Sequence, residues 1–202
     1  MAEALPVGDG TLAVWVVVVD PLENNAYLAA CPRTGGAVLI DPADEPDRLL
    51  AGAAGLTVEA ILVTHGHPDH LGAAIALRGA WGIPVYLHPA DRDRAGLAGV
   101  RPLAHGQEVA FGEAALRVIH TPGHTPGSVC FLGGGCLFSG DTLFPGGPGA
   151  TEERTAFATV MASLREQLFV LPDETAVLPG HGPGTTIGAE RPFLDEWQLR
   201  GW

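Results

Sequence analysis

The chain contains no lysine; all 11 of its basic residues are arginine. Chemistry that needs an amine as base, Schiff-base former or anion clamp therefore has no residue to use. Runs of basic residues are missing too, and the formal net charge is -12. Phosphate backbones repel such a surface, which argues against nucleic acid as a partner. No apolar stretch approaches the roughly 20 residues that span a bilayer; the longest strongly apolar one runs from Leu12 to Val19. The opening residues Met1 to Pro6 carry no basic residue ahead of an apolar segment, as an export signal would require. The expected setting is the cytoplasm, with no membrane contact. Cysteine is scarce. Cys31, Cys130 and Cys136 have neither metal-site spacing nor the number of a disulfide framework, and the last two read as reduced core thiols. Charged residues make up only 17% against 47% hydrophobic, the profile of a folded enzyme and not of a disordered tail. With no repeat, linker or low-complexity tract, the 202 residues read as a single domain, 1–202.

What is present begins with strands. Thr11–Val19, Ala26–Cys31 and Ala37–Ile40 are Val-rich and separated by Pro, Asn and Gly. Asp44 to Ala54 has helical spacing, with acids in its first turn. The buried run Ala60–Val63 ends at Thr64-His65-Gly66-His67, and Pro68 or Asp69 opens a helix whose apolar stripe includes Leu71, Ile75 and Leu77. A strand at Val85–Leu87 and a short helix near Ala90 follow. Further strands are expected at Glu108–Phe111, Ala114–Ile119, Ser128–Phe131, Leu137–Ser139 and Thr175–Leu178, with helices over Glu152–Phe169 and Glu190–Leu199. This order suggests an α/β fold, two sheets packed face to face with helices outside.

The histidines carry the chemistry. His65, His67, Asp69 and His70 occupy one turn between a buried strand and a helix. Alternation at the strand end lets His65 and His67 point the same way, and the helix start brings Asp69 and His70 round to an adjacent point. Four ligand-type groups are too many for one tetrahedral ion with an open position, so two adjacent sites fit the spacing better. Further ligand types sit on loops at strand ends, each flanked by Gly or Pro: His124, Asp141 and His181. His88, His105 and His120 read instead as ordinary turn histidines, His105-Gly106 as a hairpin turn. His120 alone is a candidate to support the site from behind.

The stretch Thr64 through His70 resembles the Thr-His-x-His-x-Asp-His signature of the metallo-β-lactamase superfamily. The family's later His, Asp and His fall on His124, Asp141 and His181 in order. The wording from Thr121 to Ser128 and from Phe138 to Phe144 is most similar to its glyoxalase II (hydroxyacylglutathione hydrolase) branch. The resemblance implies a four-layer αββα sandwich, two mixed sheets with helices on the outer faces. It puts His65, His67 and His124 on a first metal, Asp69, His70 and His181 on a second, and Asp141 between them. It also sets the chain apart from the family's β-lactamases, which lack that bridging aspartate and commonly rely on a Lys.

Two divalent ions, zinc first with iron or manganese as alternatives, can share a water and lower its pKa towards neutrality. The resulting hydroxide would attack a small thioester or ester, with Asp69 also orienting it. A thiolate of pKa about 8.5 leaves without a strong acid, which suits a chain without Lys. The rivals are a mononuclear iron enzyme resembling persulfide dioxygenases, a lactone or ester hydrolase, and a metal-binding chain without turnover. Only about 20 residues follow His181, and the late Arg191 and Arg200 read as surface charges. A thiol carrier smaller than or different from glutathione is therefore expected. The Gly- and Pro-rich segment 144–149 is a candidate pocket rim. Oligomeric state is not legible.

Overall fold

The computed structural model describes residues 2–19 and 21–201; Met1, Asp20 and Trp202 lie outside the described residues. The first sheet contains, in spatial and chain order, β1 (Glu3–Leu5), β2 (Ala13–Val19), β3 (Asn24–Ala30), β4 (Gly36–Ile40), β5 (Thr57–Leu62), β6 (Val85–Leu87) and β7 (Arg101–Pro102). Pairing is antiparallel from β1 to β4 and parallel from β4 to β7. The second sheet is built from β8 (Glu108–Phe111), β9 (Ala114–His120), β10 (Val129–Gly133), β11 (Cys136–Gly140), β14 (Ala176–Pro179) and β15 (Thr185–Thr186), with β11 and β14 parallel. A separate small hairpin joins β12 (Leu143–Phe144) to β13 (Gly147–Pro148). Helices α1 (Pro46–Gly52), α2 (Ala74–Trp81) and α3 (Arg92–Ala95) belong to the first half, and α4 (Arg154–Ser163), α5 (Ile187–Glu190) and α6 (Leu194–Arg200) to the second.

Strand alternation sorts the buried side chains into three layers of core. Between the sheets lie Tyr27, Val38, Leu62, Phe111, Val118, Phe131, Phe138 and Leu178. Their sequence neighbours face outward: Leu28, Leu39 and Ile61 pack with Leu49 and Leu77 of the first helical layer. Cys130, Leu137 and Val177 pack with Met161, Leu164 and Trp197 of the second. This is the expected αββα sandwich with two mixed sheets. Burial raises the thiol pKa of Cys130 and of Cys136 to about 11, so both stay protonated core groups. No helix among the described residues is long and apolar enough to cross a membrane.

Several expected boundaries are corrected. Pro68–His70 is an isolated 3₁₀ turn, and α2 starts only at Ala74, so its inward face is Ala74 and Leu77 while Ile75 is 56% exposed. The helix expected over Glu152–Phe169 is α4 followed by a π turn, Leu164–Leu168, closed by Phe169 N–H to the Leu164 carbonyl at 2.8 Å. That wider turn buries both Leu164 and Leu168. The final helix is divided by a 3₁₀ turn at Arg191–Phe193, where Pro192 removes a donor. His105-Gly106 is a tight turn but not a hairpin, because β7 and β8 belong to different sheets.

Phe138→Ala, which empties the layer between the sheets, is expected to cost about 3–5 kcal/mol. Ile75→Ser should change stability by no more than about 0.5 kcal/mol. Urea unfolding of the two variants measures both.

Candidate metal centre

Every candidate ligand stands where a strand of the sandwich ends. His65, His67, Asp69 and His70 follow β5, His124 lies between β9 and β10, Asp141 follows β11 and His181 follows β14. The structure brings all seven together, in overlapping groups whose ligand atoms lie within 4.8 Å of one another: His65–His67–His124, His65–His70–Asp141 and Asp69–His70–His181. In the first group, His65 Nε2, His67 Nδ1 and His124 Nε2 are separated by 3.0–3.2 Å. Bonds of about 2.0–2.1 Å to one tetrahedral ion would set such atoms about 3.3 Å apart. In the Asp69–His70–His181 group, His70 Nε2 and His181 Nε2 stand 3.6 and 3.5 Å from Asp69 Oδ2. Asp141 lies between the groups. Its Oδ2 is 3.7 Å from His124 Nε2 and from His181 Nε2, and its Oδ1 is 3.4 Å from His70 Nε2.

The proton on each ring decides what it can hold. Thr64 gives its hydroxyl proton to Asp41 Oδ2 (2.6 Å), so His65 Nδ1–H donates to Thr64 Oγ1 (3.0 Å) and Nε2 is left as a lone pair. His70 Nδ1–H donates to Asp41 Oδ2 (3.0 Å), His124 Nδ1–H to the Ala150 carbonyl (2.7 Å) and His181 Nδ1–H to the Leu22 carbonyl (3.2 Å). Four Nε2 atoms are thereby turned inward, those of His65, His124 and His181 as acceptors. His70 Nε2 and Asp141 Oδ1 are buried with no hydrogen-bond partner, the state of groups shaped for a cation.

Electrostatics agree with the geometry. Burial, then the neighbouring imidazoles, holds the His65 pKa well below its ordinary value, and burial followed by His124 and Arg94 lowers that of His67. Burial alone would lower His70 too, but Asp41, Asp141 and Asp69 outweigh it and raise its pKa to about 9. Burial works to raise Asp69, yet His70 and the Asn24 amide, which donates to Asp69 Oδ2 at 3.2 Å, leave it below the usual carboxylate value.

Asp41, Asn24 and Arg94 are absent from the sequence-derived set, being far in the chain from all seven candidate ligands. Arg94 Nη1 lies 3.2 Å from His67 Nε2 and 3.1 Å from Glu152. His88 and His120 stack on each other at 4.2 Å, and His120 N–H donates to His105 Nδ1. None of these three joins the seven; His120 reaches only the Pro126 carbonyl in the loop of His124. A cleft of about 340 Å³ opens beside His124, between Arg94, Pro122, Pro126, Glu152 and Thr159. Segment 144–149 does not line it: most of that segment is the β12–β13 hairpin, whose exit presents Ala150 to His124. Arg191 is tied to Asp173 and to the Leu171 carbonyl.

The sequence profile of the metallo-beta-lactamase superfamily matches residues 19–181 of this chain. The chain belongs to the metallo-beta-lactamase superfamily. Within the superfamily, a protein from Haemophilus influenzae named hydroxyacylglutathione hydrolase GloC is 32% identical, over 89% of this chain and 97% of its own. A crystal structure of the B3 metallo-beta-lactamase BLEG-1 superposes with a TM-score of 0.80 at 35% identity, covering 90% of this chain and 99% of that one. A crystal structure of TTHA1623 in a di-iron-bound form is 44% identical with a TM-score of 0.74, covering 87% of this chain and 96% of that one. The scaffold thus serves proteins named for different substrates.

Near pH 8 an ordinary imidazole is already neutral, whereas His70 still carries its proton. Loading metal-free protein with divalent metal at that pH is therefore expected to release about one proton more per chain from the wild type than from Asp41→Asn, which removes the charge that holds the His70 proton. Calorimetry in two buffers of different ionisation enthalpy measures it.

Proposed function

We propose that the chain is a binuclear metal-dependent hydrolase acting on a small thioester. The observation that carries this reading is the set of inward ring nitrogens: four imidazoles tied back through Nδ1, with the Asp141 carboxylate standing between the two groups. His65, His67 and His124 would hold one ion and Asp69, His70 and His181 the other, with Asp141 shared. Ions held there supply Lewis acidity and a bound water of lowered pKa. Five imidazoles and two carboxylates without a thiolate suit zinc, iron and manganese alike; zinc is the proposed ion, and the di-iron-bound relative makes iron its rival.

The chain's own residues supply orientation. Asp69, kept anionic by His70 and Asn24, can accept a hydrogen bond from a water approaching the cluster and aim it at a carbonyl carbon. Asn24 and the Leu22 carbonyl hold Asp69 and His181 against rotation. The cleft beside His124 has room for a small acyl or thiol group, and Pro122 and Pro126 give it a dry wall. A thiolate departs unprotonated, so the absence of Lys costs the reaction nothing. The hydroxyacylglutathione hydrolase of Haemophilus influenzae supports a thioester as the substrate class.

Metal analysis of protein purified without added metal, with thioester hydrolysis assayed on the same sample, tests the proposal. The expected result is close to two ions per chain and turnover that a chelator abolishes. Asp141→Ala should reduce kcat/KM by at least about 100-fold, the upper end of the cost of losing a ligand's outer partner. One iron per chain, with oxygen consumed on a persulfide and no thioester cleaved, would overturn the hydrolase. Fully loaded protein that opens lactones and spares thioesters would overturn the substrate.

A further inference from the structure

Asp91 is another buried acid near the cluster, 0% exposed, and its side chain hydrogen-bonds to none of the seven candidate ligands. It ends a 3₁₀ turn, Pro89–Asp91, just after β6. Its Oδ2 accepts the Gly66 N–H at 2.7 Å and the Thr125 hydroxyl at 2.6 Å, and its Oδ1 accepts the Gly127 N–H at 2.7 Å. Gly66 sits between His65 and His67; Thr125 and Gly127 follow His124. One carboxylate therefore grips the two separate loops that carry the three-histidine group. Both loops press against it closely enough to require glycine. A Cβ on Gly66 would fall 2.8 Å from the Asp91 carbonyl oxygen, and one on Gly127 would fall 2.6 Å from Asp91 Cγ.

We propose that Asp91 is the positioning residue of the three-histidine group, setting the distance between the His65–His67 turn and the His124 loop so that three ring nitrogens share one ion. The inference rests on the ligand assignment proposed above and adds a division of labour to it. Asp41 acts on ring protons, directly at His70 and through Thr64 at His65. Asp91 acts on the loops, through two main-chain N–H groups and the Thr125 hydroxyl, and all three of these bonds lie on the first group. Charge-assisted bonds to buried donors are strong, and their loss leaves those donors unsatisfied. The effect of losing Asp91 should therefore be selective: the first ion is released and the second is kept.

The test measures metal affinity by competition with a chromophoric chelator, using zinc, in two backgrounds. In His181→Ala, where the ion retained is that of the three-histidine group, adding Asp91→Asn should weaken binding about 10–100-fold. In His124→Ala, where the ion retained is that of Asp69 and His70, the same substitution should change affinity less than about 2-fold. Equal losses in both backgrounds would make Asp91 a general structural residue and overturn the proposal, as would no loss in the first. If Asp91→Asn does not fold, as judged by circular dichroism, Thr125→Val removes one of the three donors and should give the same selectivity at smaller amplitude. Wild-type protein that binds no zinc at all would instead sink the ligand assignment, and this inference with it.

Discussion

The centre depends on one buried carboxylate. Asp41 leaves the end of β4 in a left-handed conformation, φ 50°, and takes the Thr64 N–H at 2.7 Å, the Thr64 hydroxyl at 2.6 Å and His70 Nδ1–H at 3.0 Å. Burying a charge is costly unless several donors meet it, and here three do. The same contacts decide where the protons of His65 and His70 reside, and therefore which nitrogens face inward. A strained backbone at this position is tolerated because the hydrogen bonds over-determine it. Removing the carboxylate would leave the fold its three layers of core but take away the proton order on which the cluster rests.

The seven candidate ligands were legible because each announces itself locally. His65, His67, Asp69 and His70 form one compact motif, and His124, Asp141 and His181 each follow a strand in a Gly- or Pro-rich turn. The two sheets were legible from alternation and Val-rich runs. Less visible was whatever acts at a distance. Asp41, Asp91 and Asn24 look like ordinary loop polar residues, and only tertiary folding puts them against Thr64, Gly66 and Asp69. The start of α2 is not legible because Leu71 and Ile75, four residues apart, match a helical spacing that the 3₁₀ turn interrupts. Likewise, nothing in the apolar pattern of Leu164 and Leu168 distinguishes a π turn from an α-helix.

The superfamily's range of substrates follows from this arrangement. Strand ends hold the loops of the seven candidate ligands, and the buried Asp41 and Asp91 hydrogen-bond to those loops in turn. The cleft beside His124 is bounded instead by residues of the 122–126 loop, α3 and the start of α4, among them Arg94, Glu152 and Thr159. The side chains of Arg94, Glu152 and Thr159 make no hydrogen bond to Asp41 or Asp91. A hydroxyacylglutathione hydrolase and a B3 metallo-beta-lactamase can thus share the scaffold at 32% and 35% identity to this chain.

The cluster also lies across a seam. His65, His67, Asp69 and His70 come from the first sheet, and His124, Asp141 and His181 from the second. All three cysteines are free, so no covalent bridge closes that end of the sandwich. Ions bound there would act as rivets between the two halves, adding about 4 kcal/mol at a free concentration 1,000 times the dissociation constant. The lifetime of such a protein in a cell would then be governed by its metal supply. Starvation for the ion would withdraw that increment and raise the fraction of chains open to proteases.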